Sequence, residues 1–592
     1  MGESQAFSEL ELFVVASLVW VGAYLALDVS VLPGVLIFVV AFFVRNKVGV
    51  ALGLVWIAAS LSATANGDYE ESVGSGLVDE RAIVVSDARP LGPAGVVAEV
   101  KLVDGRRVEV VGYGSVSIDL RSATIGSSFQ AQGQLRPIGD APWLRTRHIV
   151  GRLSLTGISQ VRPPPPWQRP PEILRGAVTA GAASLDEKSK TLYTGLVIGD
   201  DRYQTVDQEA EFRAAGMTHL LAVSGQNVAF VLAVLSPVLR QLRRRYRWLV
   251  VILALVVFAA ATRFEPSVLR ATISAGLATS LALVGLRASG IRILSLVVIA
   301  LLFIDPFLAR SVGFQLSVSA SFGILVFAPL LNTPRGVPEF VWSPLSVTVG
   351  AQLAVSPVLL TVFGQLPLAS IPANMAAGWA AGVVMMWGLT VGLLAGLLPP
   401  GVASVVQWPV SVLLSWIEVV ADVASDAPIP VLGPTSALGI LGLVVLWWGS
   451  GRHRWPKVGI VAVLLVGWVV MVQQPPASPH VGSGFMFFPG SNTTASVLVV
   501  ESDSPNAAVY WLVENRVHSV DVVVFEDGGR RSNELADAIA GVAETRTMLA
   551  PSNHRIVKAT RVIDEVDIST RSTYIRVVNR RTSLDVTVSP PM

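Results

Sequence analysis

The stretches LFVVASLVWVGAYLAL (residues 12–27), VSVLPGVLIFVVAFFV (29–44) and VGVALGLVWIAASLSA (48–63) decide what kind of fold this chain can have. Each is an almost unbroken apolar run close to the about 20 residues that cross a bilayer. They predict three consecutive membrane spans. The residues ahead of the first run are acidic (Glu3, Glu9, Glu11) and two more runs follow at once, which argues against a cleaved secretion signal. The only cations among the runs, Arg45 and Lys47, lie between the second and third. Under the positive-inside rule that loop is cytoplasmic, which puts the N-terminus inside and everything after Ala63 outside.

Composition points the same way. Of 592 residues, 52% are hydrophobic and only 15% charged, whereas charged residues make up about a quarter of a soluble domain. The net charge of +2 names no partner, because nucleic-acid binders are recognised by where their cations sit. The absence of cysteine excludes disulfides, thiolate zinc sites and cysteine nucleophiles.

After the N-terminal segment (1–63), texture divides the chain. Residues 64–170 carry short β-branched runs, Arg81 to Ser86, Val96 to Leu102, Arg107 to Val111 and Ser128 to Leu135, between Gly, Pro and Asp. They predict a small extracytoplasmic all-β domain of barrel type, closed by the polyproline linker Arg162 to Trp167. Within residues 171–216, Ile173, Leu174, Ala177, Val178, Ala182 and Leu185 recur at helical spacing beside Arg175, Asp186, Glu187 and Lys188. This reads as an amphipathic helix on the membrane surface, or equally one packed on the β domain.

A second membrane block occupies 217–473. Its predicted spans are Met217 to Leu239, Leu249 to Thr262, Pro266 to Leu286, Ile293 to Ile304, Ser311 to Leu331, Val341 to Phe363, Ile371 to Leu398, Val402 to Val423, Pro434 to Gly449 and Val458 to Val472. Counting from an inside N-terminus places the basic loops Arg240 to Arg247, Arg287 to Arg292 and Arg452 to Lys457 all in the cytoplasm. The tail, 474–592, shows strand-like runs at Ser496 to Glu501, Val520 to Phe525 and Tyr574 to Val578 with a helical Asn533 to Val542, a small extracytoplasmic α/β domain. The fold class expected is therefore a polytopic α-helical membrane protein of about 13 spans with an all-β, OB-like domain and an α/β tail outside.

The most informative residues are Gly199 and Asp200, in a turn after Leu196-Val197-Ile198, and then His219-Leu220-Leu221-Ala222-Val223-Ser224-Gly225-Gln226-Asn227. His219, Ser224, Gln226 and Asn227 are polar groups at the start of an apolar run, so they must face protein or water. The alternative is that they only hydrogen-bond neighbouring helices. The pattern resembles the signature of the ComEC family of bacterial competence proteins. Further matches follow in family order: Ser267 to Thr272, Asp305-Pro306 with Gly313 to Ser317, and Leu366 to Ser370 running on to Asn374. One departure is Gln226-Asn227, where many members have a leucine-histidine pair.

The resemblance implies transport of single-stranded DNA across the cytoplasmic membrane during natural transformation. A polyanion needs a wet, polar path with a few cations. His219, Ser224, Gly225, Gln226, Asn227, Arg270, Gln315 and Asn374 are the expected lining, and snorkelling or interhelical bonding is the alternative. Expected partners are the DNA strand, the lipid bilayer, a DNA receptor, a cytoplasmic motor ATPase, and a second copy of the chain. Carboxylates in or near spans (Glu265, Asp305, Glu418, Asp422), beside Arg310, leave an ion-coupled permease open, and a non-catalytic scaffold is a third reading.

Family members often end in a metallo-β-lactamase-like nuclease, whose two-metal site needs a His-x-His-x-Asp-His cluster after a buried strand. Here the strand at Val520 to Phe525 runs into Glu526-Asp527-Gly528-Gly529-Arg530-Arg531-Ser532-Asn533, without histidine, and His480, His518 and His554 lack ligand spacing. The expectation is a degenerate domain with no metal, no cofactor and no enzymatic activity.

Overall fold

In the computed structural model, residues 8–432 are described apart from short gaps, the longest being 138–143, and between 480 and 588 the strands and a few helical positions are described. The segment 433–479, with its two expected spans and third basic loop, lies outside the described residues, as does Glu526 to Asn533. The chain divides into two units: 1–202, 219–364 and 374–416 form the first, and 203–218, 365–373 and 417–592 the second.

The first helix, α1 (Glu9–Leu25), starts on a reciprocal cap. The Glu11 amide donates to Ser8 Oγ at 3.2 Å and the Ser8 amide to Glu11 Oε2 at 2.7 Å, so two orphan donors are satisfied together. Helices α2 (Val31–Phe43) and α3 (Lys47–Glu70) follow. A Cβ on Gly53 would lie 2.7 Å from the Phe38 nitrogen and one on Gly22 2.7 Å from the Val55 oxygen. Close approach of these helices therefore requires glycine at both positions.

The β domain comprises β1 (Gly76–Val84), β2 (Arg89–Leu91), β3 (Gly95–Leu102), β4 (Arg107–Tyr113), helix α4 (Ser115–Ser122), β5 (Ser128–Pro137) and β6 (Ile149–Arg162). Strand β1 pairs with β5 and also, through Ala82 to Val84, with β3, so the ring β1-β5-β6-β4-β3 closes. β4 and β6 run parallel and the other ring neighbours antiparallel. Five ring strands, a helix between the third and fourth, and parallel pairing of third with fifth make the OB-type barrel. Alternation fills it: Phe129, Ala131 and Leu135 of β5 meet Leu153 and Leu155 of β6 in the core.

Glu99 on β3 is a buried carboxylate, 8% exposed, paired with Arg147. Burial pushes its pKa above the ordinary 4.5, against the pull of Arg147, Arg89 and Arg107. Ionised Glu99 thus costs the folded state more than the unfolded one, and that penalty fades as pH falls through the raised folded value. Glu99→Gln is expected to raise the barrel's melting temperature at pH 7 by about 2–5 °C, with the gain shrinking at pH 4. Thermal melts of the full-length protein at both pH values check this, and an equal gain at both would refute it.

The linker leads to α5 (Arg169–Gly181) and α6 (Glu187–Ile198), the latter N-capped by Asp186. Next come α7 (Val206–Ala214), α8 (Thr218–Leu221), α9 (Gln226–Gln241), α10 (Arg244–Ala261), α11 (Pro266–Leu283), α12 (Gly290–Ile304), α13 (Val312–Val326) and α14 (Glu339–Val362). After β7 (Leu366–Pro367) the block ends in α15 (Ser370–Gly388), α16 (Val391–Ala395) and α17 (Pro400–Asp426). Among the described residues, α3, α13 with its 3₁₀ extension, α14 and α17 are long and apolar enough to cross a membrane, and α12 is a shorter apolar helix.

Two of the expected elements differ. The run from Met217 to Leu239 is not one helix, because Ser224 breaks it: its hydroxyl accepts from the Gln226 amide at 3.3 Å and its carbonyl from the Asn227 amide at 3.1 Å. Local side-chain bonds of this kind compete with helix continuation. The helix with Arg175 does not turn that residue to water either. Arg175 is 4% exposed, and its guanidinium reaches the Ala261 and Ile198 carbonyls.

Ion pairs and caps fix which ends of the bundle align. Arg263, after α10, meets Asp87 of the barrel, and Asp305, after α12, meets His148 of the barrel at 2.9 Å. The opposite ends of the same two helices carry the basic loops Arg240 to Arg247 and Arg287 to Arg292. Arg310 donates to the Tyr24 carbonyl at 3.0 Å at the end of α1, and Lys47 pairs with Glu11 near its start. Both basic loops and the start of α1 are therefore at the end away from the barrel.

In the second unit, β8 (Val431–Leu432) pairs with β7. The tail has β9 (His480–Gly482), β10 (Phe485–Phe488), β11 (Val497–Val500), β12 (Ser519–Phe525), β13 (Glu544–Pro551) and β14 (Arg561–Ile563) in one sheet. β11 to β14 are parallel and β9 and β10 antiparallel. A separate antiparallel sheet holds β15 (Glu565–Ile568), β16 (Ile575–Asn579) and β17 (Leu584–Val588). Ala508, Val509, Leu512, Leu535, Ala536 and Ile539 pack on the larger sheet, as an α/β layer requires.

Candidate functional site

Gly199 ends α6 in the left-handed conformation, φ 69°, and its amide closes onto Gly195. A Cβ there would lie 2.7 Å from Val223 Cγ2, so glycine is required both for the αL turn and for the passage of the 223–225 segment. That segment is pinned from three sides. The Asn227 side chain, fully buried, donates from Nδ2 to the Leu196 carbonyl at 2.7 Å. Ser224 Oγ donates to Asn227 Oδ1 at 3.3 Å, and Ser267 Oγ donates to the Val223 carbonyl at 3.0 Å.

Arg270 completes the cluster. It lies about one turn into α11, is 9% exposed, and donates from Nε to Ser317 Oγ of α13 at 2.9 Å. A Cβ on Gly225 would lie 3.0 Å from one of its terminal nitrogens, so the guanidinium sits against the bare backbone of the Ser224–Gly225 turn. Among the described residues no carboxylate pairs with it. An uncompensated cation among apolar helices is expensive and marks a functional position more often than a structural one.

A second polar assembly ties this cluster to the barrel. Asp87, in the loop after β1, accepts two bonds from Arg263 (2.9 and 2.8 Å) and one from Arg175 (2.9 Å). Arg263 also donates to Glu172 at 2.5 Å, and Arg175 lies 3.3 Å from Asp200, which Arg202 clasps through both oxygens. Three arginines and three carboxylates make a neutral set, as burial demands. Burial alone would raise the Asp87 pKa, but the Arg263 hydrogen bond and the charges of Arg175, Arg263 and Arg202 outweigh it and hold the carboxyl below its ordinary 3.8. Arg263 and Phe264 sit at φ 60° and 54°, a conformation that costs a non-glycine residue of order 1 kcal/mol or more. The paired guanidinium of Arg263 holds the turn that enters α11, seven residues ahead of Arg270.

The residues singled out in the sequence thus separate. Gly199, Ser224, Gly225, Asn227 and Arg270 converge, and Asp200 joins the ion assembly instead. His219 and Gln226 are exposed, Asn374 is half-buried on α15, and Gln315 turns away to donate to the Ala309 carbonyl at 2.9 Å. Sequence reasoning missed Ser267 and Ser317, which are adjacent to quoted motifs or inside them, and it missed the partners Asp87, Glu172, Arg175, Arg202 and Arg263. An arginine one helical turn after an apolar face begins reads as solvated, and only long-range contact shows it buried. Among the described residues, no group of three His, Asp or Glu side chains is arranged to hold a metal ion.

The Competence protein family model matches residues 196–482, a region that begins at the Leu196 carbonyl bonded by Asn227. The chain is 28% identical over 236 residues to ComE operon protein 3 of Bacillus subtilis (strain 168). That alignment covers 39% of this chain and 30% of the relative's length. No solved structure matches.

Proposed function

We propose, for a chain whose residues 196–482 match the Competence protein family model, that it passes one strand of DNA through the cytoplasmic membrane during natural transformation. The observation that carries this reading is Arg270, a buried guanidinium with no carboxylate partner among the described residues, facing the Ser224–Gly225 turn inside an apolar bundle. A single cation among hydroxyl and amide groups compensates passing phosphates in turn, whereas a dense cationic site would stall a polyanion. The OB-type barrel supports it, because that architecture commonly grips single-stranded nucleic acid.

The barrel and the tail are extracytoplasmic and the N-terminus is cytoplasmic. The two basic loops at the end of the bundle away from the barrel support that orientation through the positive-inside rule. About thirteen spans carry the chain across the membrane. His219, Gln226 and Asn374 serve the path as secondary polar groups. A DNA receptor delivers the strand from outside, and a motor ATPase engages the cytoplasmic face. The chain has no nuclease of its own, a reading supported by the histidine-free sequence Glu526 to Asn533 that follows the central tail strand.

Deleting the gene in a transformable host is expected to abolish transformation while DNA binding at the cell surface persists. An unchanged transformation frequency rejects the transport reading. Cleavage of DNA by the full-length protein with manganese or zinc rejects the nuclease-free part alone.

A further inference from the structure

A cavity of about 520 Å³ lies among α1, α12, α13 and α14, away from the Arg270 cluster. Its walls are apolar: Phe13 and Trp20 of α1, Val298 of α12, Phe322 of α13, and Ala354 and Val358 of α14. Phe13 and Phe322 stack with ring centroids 4.5 Å apart. Two of the helices that line it, α13 and α14, cross closely at glycines: a Cβ on Gly350 would lie 3.0 Å from the Gly323 oxygen.

Polar bookkeeping at the walls singles out one group. Trp20 Nε1 and Gln315 Nε2 both donate to the Ala309 carbonyl, at 3.0 and 2.9 Å, and Ser17 Oγ donates to the Phe13 carbonyl at 2.9 Å. Ser295 Oγ, on a residue 1% exposed, has no hydrogen-bond partner among the described residues. A buried hydroxyl left unpaired costs about 1–3 kcal/mol. It lies on the first turns of α12, toward the basic end of the bundle, in the wall of a space whose other polar liners are Ser17, Gln315 and Ser319.

We propose that this cavity binds the hydrocarbon of a membrane lipid, with the Ser295 hydroxyl donating to the ester oxygen at the head of the chain. An apolar cavity of about 150 Å³ holds one benzene ring, so this one has room for roughly three times as much hydrocarbon, the scale of an acyl chain. Such a volume left empty among spans would forfeit dispersion contacts on every wall, and the surrounding bilayer supplies acyl chains at the highest local concentration of any apolar molecule. The lipid takes the place of the side chains that α1 and α12 do not bring, and it fastens the N-terminal helices to the competence domain. The proposal is independent of what the protein transports.

The test uses full-length protein in nanodiscs containing a phospholipid with a photoactivatable diazirine on its acyl chain. Labelling is expected to concentrate on peptides spanning residues 13–20 and 353–358. Ser319→Phe, which fills the cavity from α13, is expected to cut that labelling at least fivefold while leaving labelling of Val405 and Trp408, exposed on α17, unchanged. Ser295→Ala, a substitution too small to disturb packing, is expected to lower it about twofold to threefold for the ester lipid. A parallel arm with a free diazirine fatty acid separates the sources: stronger labelling by the free acid assigns the site to fatty acid and overturns the ester contact. Labelling spread evenly over lipid-facing helices, or undiminished in a monodisperse Ser319→Phe protein, overturns the proposal.

Discussion

Replacing Arg175 by alanine is expected to cost the folded protein about 3–5 kcal/mol, because it leaves a set of three buried carboxylates with only two arginines, Arg263 on Asp87 and Arg202 on Asp200. Asp200 has 2% of its side chain exposed and Asp87 16%, and Arg175 is the group that lies against both. The loss should appear as a lower melting temperature of the full-length protein and a smaller amount in the membrane fraction. Arg175→Lys should recover only part, since a point charge cannot reach Asp87 and the Ala261 and Ile198 carbonyls together as the planar fork does. Removing both charges, as in Arg175→Gln with Asp87→Asn, should be milder than Arg175→Ala alone, because the remaining Arg263 with Glu172 and Arg202 with Asp200 are again neutral in sum. The pH dependence has a definite sign. Asp87's folded pKa lies below its ordinary 3.8, so its contribution is complete above that value and disappears as pH falls through the depressed one. The gap between wild type and Arg175→Ala should hold from pH 7 to about pH 5 and narrow at more acid pH. An Arg175→Ala protein that melts with the wild type at pH 7 would sink this account.

Replacing Arg270 by alanine should separate stability from transport. A cation without a carboxylate partner pays desolvation for little pairing, so its removal is expected to leave the melting temperature unchanged or raised. Transport should suffer instead. A hydrogen bond to a charged group is worth about 1.5–3 kcal/mol, and roughly 1.4 kcal/mol is tenfold in an equilibrium or rate. Uptake of labelled DNA should therefore fall by about tenfold to a hundredfold at equal protein level. Arg270→Lys should be intermediate, keeping the charge but losing the fork that spans Ser317 and the Gly225 turn. If Arg270→Ala destabilises the protein while uptake per folded molecule is preserved, the residue is structural and the transport reading loses its main support.

Several elements were legible from residue pattern because their physics is local. Unbroken apolar runs before Ala63 gave α1, α2 and α3, since a bilayer admits little else. Period-two alternation in Ser128 to Leu135 gave β5, although alternation cannot say that β1 closes the ring by pairing with β3. The turn at Gly199 and the polar interruption at Ser224 were visible as chemistry out of place in an apolar run. Their convergence with Arg270 was not, because Leu196, Ser224, Ser267 and Ser317 meet only when four helices pack.

Composition and apolar period by themselves determined that this chain belongs in a membrane and carries a β domain and an α/β tail, because burial of apolar surface is set by residue type and spacing. The tertiary structure alone decided which charges are buried. Arg175 looked like the wet face of an amphipathic helix, and it became the centre of an ion assembly because Asp87 and Asp200, 88 and 25 residues away, arrive at its guanidinium. Among the described residues, no such carboxylate is brought to Arg270. Pairing is a property of three-dimensional distance, and the same residue type is structural at one position and available to a passing phosphate at the other for that reason.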